Sequence, residues 1–127
     1  MPHFEKHFSV EEANNLLPEL RQLLERIQAV RSSLTISWEQ AQPVLVAAPH
    51  NGGGKEASGY VSDLTRLNAL LQAFQRQGVV IKDIDRGLVD FPHWRDGREV
   101  YLCWELSEDQ VRFWHDLDSG YAGREPI

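Results

Sequence analysis

Apolar positions recur at alternating steps of four and three along the first third of the chain. Leu16, Leu20, Leu23, Ile27, Val30 and Leu34 form one seam, which Leu17 and Leu24 widen to a stripe. This spacing predicts a long helix. Ser9 with Glu12 three residues on makes a capping box at its start, and Glu11 and Glu12 suit the positive end of its dipole. Pro18 interrupts the pattern and predicts a kink. Trp38, Ala41 and Leu45 keep the spacing, so the helix is expected to run from residue 9 to about 41–46. A second seam of Tyr60, Leu64, Leu67, Leu71 and Phe74 predicts a helix over 58–77, capped by Ser58 and ended by Gly78. Residues 47–59, AAPHNGGGKEASG, read as a flexible loop. Their Gly-Gly-Gly-Lys run lacks the G-x-x-x-x-G-K-[ST] order of a phosphate-cradling loop. Two seams joined in this way predict an antiparallel helical hairpin.

From Val79 the period falls to two. VVIKDI is a strand, DRG a turn and LVDFPH a second strand. Asp96-Gly97 then supplies a hairpin turn, and EVYLCWEL is the third strand. A two-residue turn there pairs Arg95 with Arg98, His93 with Val100, Phe91 with Leu102 and Val89 with Trp104. That register gathers Val89, Phe91, Val100, Leu102 and Trp104 on one face, which should receive the helices. The opposite face carries Asp90, Pro92, Tyr101, Cys103 and Glu105 and is expected to be wet. In SEDQVRFWHDLD a capping pair at Ser107 and Gln110 allows a short helix, whereas the alternation of Val111, Phe113 and His115 favours a fourth strand. A tight turn at Glu108-Asp109 would set Glu105 opposite Arg112, Trp104 opposite Phe113 and Cys103 opposite Trp114. The fold class expected is α+β: a long antiparallel helical hairpin packed on a small three- to four-stranded antiparallel sheet, in a single domain spanning 1–127 with a tail from 118.

Composition fits an ordinary globule. The chain has 127 residues, 42% hydrophobic and 25% charged, so one core needs no staples. A net charge of −6 argues against nucleic-acid and anionic-membrane partners. Cys103 is the sole cysteine, which excludes an internal disulfide and suits a reducing cytosol. No apolar run reaches the roughly 20 residues of a membrane span.

Four segments carry a resemblance: FSVEEANNLLPEL, IKDIDRGLVDFP, GREVYLCWEL and WHDLDSGYAGREPI. Together they resemble a family of small bacterial proteins known only as a domain of unknown function. Residues 36–59 hold no motif of it. The resemblance implies a bacterial, cytoplasmic setting and brings no activity, substrate or cofactor.

The chemistry must therefore come from the residues. Asp90 beside Lys82, and Glu105 beside Arg112, read most simply as cross-strand ion pairs. Tyr101 and Trp114 pack under a tail or a partner, or else wall a site. Cys103, between apolar neighbours, reads as a buried inert thiol rather than a nucleophile. His93 and His115 read as partly buried histidines; His115 is followed by Asp116 and Asp118, but no spacing demands a metal, and no cofactor is expected. His3, His7 and His50 fall in end or loop segments. The leading expectation is a non-catalytic interaction or assembly module, a homodimer or the partner of another protein. The alternative is a small enzyme or a metal- or anion-binding protein. Its site would lie where the C-terminal segment folds against the sheet, drawing on Asp90, Glu105, Arg112, Trp114, His115 and Arg124.

Overall fold

A computed structural model describes residues 1–47 and 54–127, with side chains except those of 44–47 and 54–56. Two helices precede a five-stranded sheet: α1 (Val10–Ala47), α2 (Gly54–Gln75), β1 (Val80–Asp83), β2 (Leu88–Arg95), β3 (Arg98–Trp104), β4 (Phe113–Asp116) and β5 (Glu125–Pro126), with a short 3-10 turn at Tyr121–Gly123. The fold is α+β, and every neighbouring strand pair is antiparallel in the order β1-β2-β3-β4-β5. The expected tail thus adds a fifth strand. The chain forms two compact units, Met1–Leu24 with Phe74–Ile127, and Glu25–Ala73.

In the second unit the two helices run antiparallel. Ser37 Oγ donates to Asp63 Oδ2 at 2.9 Å, and the rings of Trp38 and Tyr60 lie 5.1 Å apart. The start of α2 departs from the expected loop over 54–59, because Lys55, Glu56 and Ala57 are good helix formers and Ala57 is buried. The remainder of that loop, 48–53, lies outside the described residues.

The first unit holds the sheet. The capping box forms at the start of α1: Glu12 N donates to Ser9 Oγ at 3.0 Å, and Ser9 N to Glu12 Oε1 at 2.9 Å. The helix continues through Pro18. Its stripe is centred one position away from the expected seam: Leu17, Leu20 and Leu24 are buried, while Leu16 and Leu23 are half-buried.

The β2–β3 register is as expected, from Val89↔Trp104 to Arg95↔Arg98. Its cause is local. Asp96 has φ 51° and Gly97 φ 76°, so both turn residues are left-handed, as a type I′ hairpin requires. Val89, Phe91, Val100, Leu102 and Trp104 are fully buried on the face that α1 covers. Phe8 meets Phe91 edge-on at 5.4 Å, and Arg21 lies 5.1 Å over the Trp104 ring. At the β1–β2 turn Gly87 has φ 64°, and a Cβ there would stand 2.5 Å from Leu106, so this position needs glycine for both conformation and space.

The β3–β4 register differs from expectation by one residue. Cys103 faces Phe113, Leu102 faces Trp114, Tyr101 faces His115 and Val100 faces Asp116. The connection is not a tight turn at Glu108-Asp109 but a loop pinned by α1. Arg21 donates to the carbonyls of Leu106 and Glu108, Asn14 Oδ1 accepts from Val111 N at 2.7 Å, and Trp104 Nε1 donates to Glu108 O. A one-residue slip exchanges the faces of every side chain on the strand. Trp114 and Asp116 therefore join the α1 face, and His115 joins Asp90, Tyr101 and Cys103.

Truncating Leu102, fully buried on the α1 face, to alanine should cost about 2–5 kcal/mol of unfolding free energy. Urea denaturation of wild type and Leu102→Ala measures it; a loss below about 1 kcal/mol would mean that this face is not the core.

Candidate functional site

The face expected to be wet is buried. Asp90, Tyr101, Cys103 and His115 all fall below a tenth exposed. Asp90 and Cys103 are register partners on β2 and β3, and His115 reaches them from β4. A carboxylate oxygen of Asp90, Cys103 Sγ and a ring nitrogen of His115 lie within 4.8 Å of one another.

The histidine is held at both nitrogens. Its Nε2 lies 3.0 Å from Asp90 Oδ1, and its Nδ1 lies 2.7 Å from the Asp116 carbonyl. Both partners are acceptors, so an imidazolium donating from each nitrogen satisfies the ring. Burial alone would push the His115 pKa down. The hydrogen bonds to Asp90 and the Asp116 carbonyl, with the charge of Asp90, outweigh burial and hold it above the ordinary value, despite Lys82. Lys82 Nζ stands 4.0 Å from Asp90 Oδ2 and 4.8 Å over the Tyr101 ring. Burial pushes the Cys103 thiol up to about 12, and the Asp90 charge adds to the effect. A thiol so placed is protonated at neutral pH and is not a nucleophile.

The other residues expected at a site take other partners. Glu105 pairs with Arg86 at 2.7 Å, not with Arg112. Arg112 instead meets Asp109 at 3.2 Å in an exposed pair. Trp114 is buried on the α1 side, with Arg95 over its ring at 4.5 Å. His93 also lies on that side, its Nδ1 2.6 Å from Phe8 O, and Asp116 there pairs with Arg98 at 3.0 Å. Arg124 pairs with Glu108 at 2.6 Å and lies 4.0 Å over Phe113 and 4.6 Å over Tyr121. Its Nε is buried without a hydrogen-bond partner among the described residues. Of the expected set, the structure therefore joins Asp90 and His115, adds Cys103 to them, and leaves Glu105, Arg112, Trp114 and Arg124 in separate pairs.

A second polar centre was not foreseen. The N-terminal segment crosses the hairpin, and Glu99, only 7% exposed, accepts four hydrogen bonds from it. They come from His3 N at 2.7 Å, His7 Nε2 at 2.8 Å, His3 Nδ1 at 3.1 Å and Phe4 N at 3.1 Å. His7 stacks on Trp94 at 4.4 Å, and Phe4 meets Tyr101 at 5.5 Å. His3 and His7 stand four apart in the sequence, and that spacing was the available signal; it acts here in an extended segment rather than on a helix. Burial alone would push Glu99 up, but these hydrogen bonds outweigh it and hold the carboxyl down at about 2.

The two centres differ in access: the Glu99 cluster borders a cleft, and the Asp90, Cys103 and His115 cluster does not. A cleft of about 740 Å³ is lined by Met1, Pro2, His3, Trp94, Arg98, Glu99 and residues 116–119. Asp90, Cys103 and His115 are not in its walls.

Fold and site together define an α+β protein with a buried Asp–Cys–His centre on its antiparallel sheet. The chain belongs to the family of uncharacterised conserved proteins DUF2203, which matches residues 6–127. No curated protein and no solved structure matches it.

The Glu99 cluster has a defined pH signature. A carboxyl held below its ordinary value of 4.5 contributes stability above that pH, and the contribution is lost as the pH falls through about 2. The stability difference between wild type and Glu99→Gln should therefore shrink as the pH falls from about 4.5 towards 2. Thermal melts across this range measure it; a difference that grows on acidification would contradict the assignment.

Proposed function

We propose that the protein is a non-catalytic assembly module whose helical hairpin binds a second copy of itself. The observation that carries this reading is an exposed apolar cluster on the Glu25–Ala73 unit. Trp38, Val61 and Leu64 are 41%, 57% and 40% exposed. The Trp38 ring rests on Tyr60, and Val61 and Leu64 follow Tyr60 within about one turn of helix, so the three share a surface. Single exposed apolar side chains are ordinary, but a cluster of this kind is interface chemistry.

The interior of that unit supports the same reading. Among its described residues only Ile27, Ser37, Ala41, Ala57 and Leu70 are buried, and three of these are small. Leu34, Leu67 and Leu71 remain half-buried. Two helices alone cannot cover both seams; a second pair completing a four-helix bundle would. The seams recur at heptad spacing, which suits helix-on-helix association. A net charge of −6 favours such a partner over nucleic acid or an anionic membrane. Among the described residues no helix is long and apolar enough to cross a membrane. The bacterial cytoplasm is the setting we infer, from the family resemblance and from a single unpaired cysteine.

Light scattering after size exclusion at micromolar concentration should give twice the 14.6 kDa chain mass. The double variant Trp38→Glu with Leu64→Glu should elute as a folded monomer with an unchanged circular dichroism spectrum. A monomeric wild type would sink the reading.

A further inference from the structure

We propose that Asp90, Cys103 and His115 form a binding site for one divalent transition-metal ion of the zinc class. Three observations carry it. The donors are one carboxylate, one thiol and one imidazole, a set that suits zinc and its first-row neighbours and not calcium or magnesium. Each comes from a different strand, β2, β3 and β4, so the sheet itself fixes their spacing. Donor atoms about 2.0–2.3 Å from a tetrahedral ion stand roughly 3–4 Å apart. The three here already lie within 4.8 Å of one another, so side-chain adjustment alone would close them on an ion.

The surroundings fit a ligand set. His115 Nδ1 faces the Asp116 carbonyl at 2.7 Å, which fixes the ring and turns Nε2 towards Asp90. Metal-bound histidines are oriented by this kind of contact through their second nitrogen. The charge also balances. A divalent ion with a thiolate, a carboxylate and a neutral imidazole is formally neutral, and so is the thiol with an imidazolium–carboxylate pair that it would replace. Burial therefore penalises neither state for net charge. Lys82 opposes a cation from 4.0 Å, but its side chain is 41% exposed and free to swing into solvent. Three protein ligands leave one coordination position for water or a further donor.

Cobalt(II) titrated into the chelator-treated protein tests this directly. One equivalent should bind, with thiolate-to-cobalt charge-transfer absorption and the intense visible bands of a tetrahedral centre. Zinc should displace it and raise the melting temperature. Cys103→Ser should abolish the charge-transfer absorption, and His115→Gln should weaken binding more than about tenfold. Glu99→Gln, which disturbs the other histidine cluster, should leave the spectrum unchanged. The wild-type spectrum needs no variant to fold, so the test stands even if the variants are unstable. Absence of the sulfur-to-cobalt absorption in wild type would overturn the proposal, as would cobalt binding that survives Cys103→Ser and disappears in Glu99→Gln.

Discussion

The two-residue turn at Asp96-Gly97 is the constraint on which the sheet depends. Both residues adopt left-handed conformations, and that geometry permits only one register between β2 and β3. Once the register is set, the period of two assigns every side chain to a face. Val89, Phe91, Val100, Leu102 and Trp104 go to the side that the start of α1 covers, and Asp90, Tyr101 and Cys103 go to the other. A carboxylate and a thiol thus become neighbours thirteen residues apart because a tight turn makes them cross-strand partners.

The second face then has to be made habitable for polar groups away from water. Asp90 is 1% exposed and would be costly alone. His115 satisfies it from β4, Cys103 faces it from β3, and Lys82 approaches from β1. The chain ends close the same face. On one side Phe4 packs on Tyr101, with Glu99 holding the N-terminal segment. On the other, Arg124 stacks on Phe113 and Tyr121 while pairing with Glu108. A sheet that reads as half-wet is in this way buried on both sides.

What was legible in the sequence were the features fixed by neighbours in the chain. The capping box at Ser9 and Glu12, the helical seams, the glycine after α2 and the Asp-Gly hairpin with its register all depend on residues within a turn or a hairpin of one another. The β4 register was not legible, because its loop is set by Arg21 and Asn14 on α1, some ninety residues away, rather than by a turn of its own. That one-residue difference moved His115 from the apolar face to the side of Asp90, and with it the Asp–Cys–His centre came together. The Glu99 cluster was illegible for a related reason: His3 and His7 sit in a segment with no hydrophobic period, and their partner lies over ninety residues on. β5 and the true start of α2 were missed where glycine-rich composition outweighed the short helix- or strand-forming stretches beside it.

The buried centre therefore rests on the pairing of β3 with β4, and that pairing is directly measurable. Cross-strand backbone proton contacts by nuclear Overhauser spectroscopy should link Tyr101 with His115 and Cys103 with Phe113. Contacts linking Cys103 with Trp114 and Glu105 with Arg112 instead would place His115 on the opposite face from Asp90 and contradict the account.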